Sequence, residues 1–411
     1  MVPNGWESKP LVKLLDKIID YRGQSVPKAS SGIPLITAKN VRDGYLDFSS
    51  QEYLNESKFE EWMSRGIPSK GDILFTTEAP LGKACRYPSN GQFAVGQRTV
   101  TLRTNDDLDS EFLLYTLLSE RGQRLIDIRS SGSTAKGIKS SELKKVKISY
   151  PESLPEQRKI AKILSTWDKA ISTIEKLIES SKQQKKALMQ QLLTGKKRLV
   201  NPETGKAFEG DWEVIAVGDF GVIYSGGTPS TSNKEYWDGD IDWITPTDIT
   251  KQDSVYISSS KRQISADGLK NSSAKLVPKG SLLVCTRATI GEMAITAHEM
   301  CTNQGFKNII PNERINVEFV FYLLTYEKHQ LVSKASGSTF LELSKSAFES
   351  MKFNVPPVGE QQKISSVLTA ADKGIEVLEA KLAHLKQEKK ALMQQLLTGK
   401  RRVKVDDKEV A

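Results

Sequence analysis

The sequence predicts a mixed α/β protein in which two variable globular domains alternate with two long helices, paired antiparallel about an internal pseudo-two-fold axis. Three observations lead there: a twelve-residue string present twice, an apolar heptad seam before each copy, and a region of domain size before each seam. The string is KKALMQQLLTGK, found at Lys185 to Lys196 and unchanged at Lys389 to Lys400. A chain of 411 residues is too long for a single core, so internal repetition is the first thing to search for.

A shift of 204 positions, which carries Lys185 onto Lys389, aligns Pro155 to Ile178 with Gly359 to Leu382 without a gap. Upstream the match is fainter but keeps its order. GDILFTTEAPLGKA (Gly71 to Ala84) parallels GSLLVCTRATIGEM (Gly280 to Met293), IPLITAKNV (Ile33 to Val41) parallels IDWITPTDI (Ile241 to Ile249), and SGST occurs at Ser131 and Ser336. The expected division is a first variable domain at 1–150, a helix at 151–199, a second variable domain at 200–355, a helix at 356–400 and a tail at 401–411. Trp6 and Glu7 match Trp212 and Glu213, and KRRV from Lys400 matches KKRL from Lys196, so the two ends of the chain are expected to lie close together.

Each variable region reads as mixed α and β. Asp72 to Thr77 and Ser281 to Thr286 have the short apolar runs of strands, and Glu111 to Ile128 and Glu318 to Ala335 each read as an amphipathic helix. In the first constant segment, steps of four and three pass through Ile160, Leu164, Trp167, Ile171, Ile174, Ile178, Ser181, Lys185, Leu188 and Leu192. In the second they pass through Ile364, Leu368, Ala371, Ile375, Leu378, Leu382, Leu385, Lys389, Leu392 and Leu396. That is a coiled-coil seam broken only by Ser181, Lys185 and Lys389. Each segment should form a helix of about ten turns, near 50 Å long at 1.5 Å per residue.

Capping signals mark the ends. Ser153 and Glu156 have capping-box spacing, and Gly195 and Gly399 stand where a helix closes on a left-handed residue. Prolines at Pro356 and Pro357 punctuate the second helix start. A strip of apolar residues this long needs a partner, and the other copy is available. Beside the seam, Lys185, Lys186, Gln190 and Gln191 recur as Lys389, Lys390, Gln394 and Gln395, which predicts one surface offered twice to an identical partner.

A net charge of +9 favours an anionic partner. No apolar run is long enough for a membrane span and the N-terminus lacks a signal-peptide core, which predicts a cytoplasmic protein with no membrane partner. Cys85, Cys285 and Cys301 are odd in number and scattered, arguing against a disulfide framework, and His298 with Cys301 falls short of a zinc ligand set, so no metal site is expected. GGTPS (Gly226 to Ser230) lacks the Gly-Lys-Ser/Thr of a phosphate loop, and three scattered histidines offer no catalytic triad. The chain reads as non-catalytic.

Polar and basic residues remain as candidate DNA contacts. In the first domain these are Thr37, Lys39, Asn40, Arg42, Arg86, Arg98, Arg103 and Ser133. In the second they are Thr245, Asp248, Lys251, Arg262, Arg287, Asn303, Gln304, Lys307 and Ser338. Arginine is suited to guanine and Asn or Gln to adenine in the major groove, while Lys, Ser and Thr hold phosphates.

Two variable domains alternating with near-identical repeats, EQxKI at Glu156 to Ile160 and Glu360 to Ile364, and the closing KKALMQQLLTGK together resemble the specificity subunit of type I restriction-modification systems. GGTPS, the Tyr236 to Thr245 stretch and SGST resemble motifs of its target-recognition domains; the first domain departs from them, with RGQSVPK (Arg22 to Lys28) in place of GGTPS. The resemblance implies a subunit without chemistry of its own, each domain reading half of an asymmetric bipartite double-stranded DNA site. It implies two methyltransferase subunits carrying S-adenosylmethionine and methylating adenine, and restriction subunits using ATP and Mg. A partner that fuses methyltransferase and nuclease remains open. So do a coiled-coil adaptor that binds proteins and a single-chain DNA-modifying enzyme, although cofactor motifs for the last are missing.

Overall fold

The computed structural model of the chain describes residues 2–132, 136–252, 254–337 and 341–405. Two compact units divide it: Met1–Glu175 with Ala380–Ala411, and Lys176–Glu379. The boundaries fall inside the long helices and not at their ends, because the start of each helix packs on the domain before it while its end packs elsewhere. In the first unit Ile160, Ala161 and Leu164 share one apolar cluster with Leu396, Leu397, Trp6 and Phe112. In the second, Ile364 and Leu368 share one with Met189, Leu192, Leu193 and Phe319. In the first unit, segments near the two described ends meet, where the Arg402 guanidinium donates to the Asn4 carbonyl at 2.6 Å.

The long helices run Leu154–Leu192 and Val358–Leu396, 39 residues each. Only half of the expected capping box forms: the Ser153 hydroxyl accepts from the Glu156 N–H at 3.4 Å, but the Glu156 carboxylate turns away to Arg402. At the other ends Gly195 and Gly399 both lie at φ 69°, and Lys197 N–H and Arg401 N–H reach back to the carbonyls of Gln191 and Gln395 at 3.1 Å each. That wide backward bond over a left-handed glycine is how a helix satisfies its last carbonyls.

In the first unit Leu15–Asp20, Thr99–Thr104, Ile73–Thr76 and Ala84–Arg86 form an antiparallel sheet in that order. A second sheet orders Lys28–Ala29, Glu52–Leu54, Ile33–Ile36 and Ala94–Val95, the last pair parallel. Alternate residues point to opposite faces of a strand, so Ile73 and Phe75 enter one core while Leu74 enters another. The second unit repeats this. Leu282 and Val284 of strand Leu282–Cys285 face one core, and Leu283 and Cys285 the other. A smaller sheet there orders Gln263–Ile264, Trp237–Ile244 and Cys301–Thr302.

Each expected amphipathic helix is in fact two: Ser110–Leu118 with Glu120–Ile128, and Val317–Tyr326 with Lys328–Lys334. In the first pair Ser119 adopts an extended conformation and its hydroxyl accepts from Gly122 N–H at 3.0 Å, starting a new helix. Serine competes for the backbone in this way, and apolar periodicity alone does not register it. No helix among the described residues is long and apolar enough to cross a membrane.

Candidate nucleic-acid interface

In each unit four loops are held together by the same set of bonds. Strand Ile33–Ile36 ends at Thr37, whose N–H and hydroxyl both donate to Asn40 Oδ1, at 2.9 and 2.8 Å. Strand Trp237–Ile244 ends at Thr245, which makes the same pair of bonds to Asp248 Oδ2, at 2.8 and 2.5 Å. Beside each lies a parallel strand whose next residue bonds back: Gly96 N–H to the Ile36 carbonyl at 2.8 Å, and Asn303 N–H to the Ile244 carbonyl at 3.0 Å. Gln97 and Gln304 follow these anchors.

The third loop joins through Thr77 N–H to the Arg98 carbonyl and Thr286 N–H to the Gly305 carbonyl, at 3.0 and 2.7 Å. Two residues on, Ala79 and Ala288 lie at φ 44° and 59°. An alanine there costs on the order of 1–2 kcal/mol, and such strain persists where surrounding bonds over-determine it. The fourth is the SGST turn, with Gly137 bridging Glu78 and Ser131, and Glu342 bridging Arg287 and Ser336. Ser133 and Ser338 themselves lie outside the described residues.

Several candidate contacts belong to this frame. Asn40 is 2% exposed and its amide donates to the carbonyls of Asp47 and Ser50, so no donor is left for a base. Asp248 holds Thr245 with one oxygen and Lys261 N–H with the other. Asn303 Oδ1 accepts from Gly305 N–H at 2.9 Å. Arg103 grips Asp72, which is buried, at 2.9 and 2.7 Å. Arg86 forks onto Glu111. Lys307 is 6% exposed within strand Phe306–Pro311, and burial pulls its amine below the usual lysine range. For Asn40 and Lys307 burial corrects the sequence reading; Asp248, Asn303, Arg103 and Arg86 are only partly buried, and what holds them is their internal partners.

Others are brought together at the surface. Thr37, Lys39 and Arg98 line one cleft of about 310 Å³ with Gln97 and Lys28. Thr245, Lys251 and Arg262 line another, of about 680 Å³, with Lys261. The guanidinium carbon of Arg262 lies 3.7 Å from the centre of the Trp237 ring and 5.3 Å from that of Trp243. The two indole N–H groups donate to the carbonyls of Ser230 and Gly227, at 3.1 and 2.8 Å, which anchors the GGTPS turn beneath that arginine. Arg42 and Arg287 pair with Asp47 and Glu342 at 3.1 and 2.6 Å while their guanidinium groups stay partly exposed.

The sequence model of the type I restriction modification DNA specificity domain matches residues 19–182 and 209–387. The chain belongs to the type I DNA specificity family. It is 30% identical to the putative type I restriction enzyme MjaX specificity subunit of Methanocaldococcus jannaschii, over 98% of this chain and 95% of that one. Over 40% of this chain and 39% of the other it is 42% identical to the MjaIX specificity subunit of the same organism. The crystal structure of the type I S subunit from M. genitalium shares the fold, with a TM-score of 0.60 at 18% identity over 96% of this chain and 97% of that chain.

Most residues that this specificity subunit keeps in both helical repeats have internal partners. Glu156 takes a forked Arg402 at 2.6 and 2.7 Å, and Glu360 takes Arg198 at the same distances. Gln157 and Gln361 fill the joint between domain and helix, donating to the carbonyls of Pro151 and Pro356 at 2.8 Å. Lys185 and Lys389 are half-buried, at 2.5 Å from Asp372 and Asp168 respectively, and are therefore not outward docking residues as their retention suggested. Lys390 and Gln394 touch Glu120 at 2.6 and 2.7 Å. Lys186, Gln190, Gln191 and Gln395 are exposed. All the seam residues are buried or half-buried.

Sequence reasoning passed over Gln97, although a shift of 207 positions carrying it onto Gln304 would have found it. It also passed over Lys28, which no pattern marks.

Proposed function

We propose that this specificity subunit gives a type I restriction-modification complex its DNA preference without doing chemistry itself. Each domain reads one half of an asymmetric bipartite double-stranded site. The two long helices pair antiparallel as one coiled coil with pseudo-two-fold symmetry, set the gap between the halves, and dock two methyltransferase subunits. Restriction subunits complete the assembly. S-adenosylmethionine belongs to the methyltransferases, ATP and Mg to the restriction subunits.

The observation that carries this reading is a single loop frame present twice with different side chains at its tips. Thr37 and Thr245, Thr77 and Thr286, and Ala79 and Ala288 keep their roles, whereas Lys39 is replaced by Thr247, Glu78 by Arg287 and Arg98 by Gly305. Heads that read unrelated sequences need a common scaffold and divergent contacts. We assign contact roles to Thr37, Lys39, Gln97 and Arg98 in the first domain, and to Thr245, Lys251, Arg262, Arg287 and Gln304 in the second, with Arg42 as a phosphate contact. The exposed Lys186, Gln190, Gln191, Lys390, Gln394 and Gln395 form the methyltransferase docking faces. Antiparallel pairing is supported within each unit, since Asp168 meets Lys389 while Glu175 meets Lys386, and Asp372 meets Lys185 while Glu379 meets Lys182.

The test is methylation mapping of a host expressing this chain with its cognate methyltransferase. Two unrelated half-sites with one fixed gap are expected, and binding by the assembled complex should weaken steeply with salt. A continuous target, or no new methylation, contradicts the reading.

A further inference from the structure

Each helical seam carries a lysine where an apolar residue belongs, Lys185 in one and Lys389 in the other. A seam of repeating apolar residues is degenerate: sliding one antiparallel helix by a heptad, about 10 Å at 1.5 Å per residue, still sets apolar against apolar. A lysine in the seam removes that degeneracy, because only one register gives its amine a partner.

That partner is built in both units by three elements. In the first, the Lys389 amine lies 2.5 Å from Asp168 Oδ1, the Tyr115 hydroxyl donates to Asp168 Oδ2 at 2.6 Å, and the amine sits over the Tyr115 ring at 5.5 Å. In the second, the Lys185 amine lies 2.5 Å from Asp372 Oδ1, the Tyr322 hydroxyl donates to Asp372 Oδ2 at 2.8 Å, and the amine sits 5.3 Å over that ring. Both tyrosines are fully buried and stand on domain helices, Ser110–Leu118 and Val317–Tyr326. Each triad therefore ties a domain, the helix that follows it, and the end of the other helix at one point.

The surroundings of the two triads differ. Arg86 approaches the Tyr115 hydroxyl at 3.4 Å, whereas Thr369 shares a 3.2 Å contact with that of Tyr322. The lysine, aspartate and tyrosine are what both units keep.

We propose that Lys389–Asp168–Tyr115 and Lys185–Asp372–Tyr322 are twin register pins, positioning residues that select one alignment of the helix pair and thereby one gap between the half-sites. The statement about the gap rests on the function proposed above; the statement about register does not.

The test uses the full chain in complex with its methyltransferase. Glu175→Cys and Lys386→Cys, which replace a pair 2.8 Å apart, report register through a short bis-maleimide link. Gap selectivity is read from methylation of duplexes whose half-sites are fixed and whose gap varies by one or two base pairs. Pins are broken in two ways: Lys185→Met with Lys389→Met, which completes the apolar seam, and Tyr115→Phe with Tyr322→Phe, which removes only hydroxyls.

With the pins intact, cross-linking should be efficient and off-gap duplexes should be methylated at least about tenfold more slowly, the scale of one well-made charged hydrogen bond. In the methionine variant cross-linking should fall severalfold and off-gap discrimination should shrink to about threefold or less; the thermal midpoint should also fall, because Asp372 and Asp168 lose their cations. A residue that merely supports the fold would lower the midpoint and leave gap selectivity alone.

Unchanged cross-linking in the methionine variant overturns the pins. If that variant fails to fold, wild-type cross-linking and gap selectivity in the phenylalanine variant overturn them. Reduced cross-linking with an unchanged gap leaves the pins standing and contradicts the ruler.

Discussion

The constant helices and the variable loop clusters are each built twice in this chain, and they repeat in opposite ways. Along the helices the repeated residues are mostly those that touch something: Glu156 and Glu360 their arginines, Asp168 and Asp372 their lysines, Gln157 and Gln361 the carbonyls at the joint. In the loops the repeated residues include those that hold the frame, Thr37 and Thr245 and Thr77 and Thr286, while tips such as Lys39 and Thr247 or Arg98 and Gly305 diverge. One chain thus supplies its own internal comparison. Identity marks contacts that must be the same twice, and divergence on a shared frame marks contacts that must differ.

The largest effect should come from breaking one helix-start clamp. Glu360 is completely buried beneath Arg198, so Arg198→Ala leaves an unpaired interior carboxylate, at a cost of about 3–5 kcal/mol. The partner clamp has a more exposed arginine, Arg402, and Arg402→Ala should cost less. Denaturant unfolding of both variants measures the difference, and equal losses would mean that burial does not distinguish the two clamps.

Next come the loop tips. Arg262→Ala should weaken binding to the second half-site by about 1–3 kcal/mol and relax its sequence, leaving the first half-site unchanged. Arg98→Ala should do the reverse, as read by competition between duplexes altered in one half. A smaller contrast concerns the glycines that close the helices. Ala at either position incurs about 1–2 kcal/mol for its left-handed backbone. At Gly399 the added methyl would also lie 2.6 Å from Pro3 Cγ, whereas at Gly195 its nearest neighbour, in Trp212, is 3.5 Å away. Gly399→Ala should therefore lower the thermal midpoint more than Gly195→Ala.

One acid effect should arise in the second unit. Burial pushes the Asp242 carboxyl up, but hydrogen bonds from His298, Ser260 and Gln263 outweigh it and hold the group below the usual carboxylate range. A depressed value stabilises the fold above the ordinary carboxylate range, and that contribution is lost as pH falls through the folded-state value. Asp242→Asn should flatten this part of the acid-unfolding curve. The smallest effect is none at all: burial raises the thiols of Cys85, Cys285 and Cys301 to about 12, so native protein should resist alkylation near pH 8 where unfolded protein reacts.

Much of the fold was legible in the sequence because seam, repeat and cap all act locally. Ile160 to Leu192 announce a helix by spacing alone, and Gly195 announces its end. The break at Ser119 was not legible, since one hydroxyl capping Gly122 outweighs an unbroken apolar pattern. The candidate site was legible in outline only. Asn40 and Arg98 are both polar residues beside a strand, and nothing in their type tells that one is spent on the carbonyls of Asp47 and Ser50 while the other lines a cleft. Lys185 and Lys389 were misjudged for a related reason: retention in both copies was attributed to a shared outside partner, when the seam position they occupy already pointed inward.

The central claim is that the length of helix between the two domains sets the distance between the half-sites. The most direct measurement is methylation mapping after a heptad is inserted following Ser180 and another following Ala380. Each adds about 10 Å of helix, roughly three base pairs at 3.4 Å each. The account predicts a gap longer by about that amount with both half-site sequences unchanged. An unchanged gap, or altered half-sites, would contradict it.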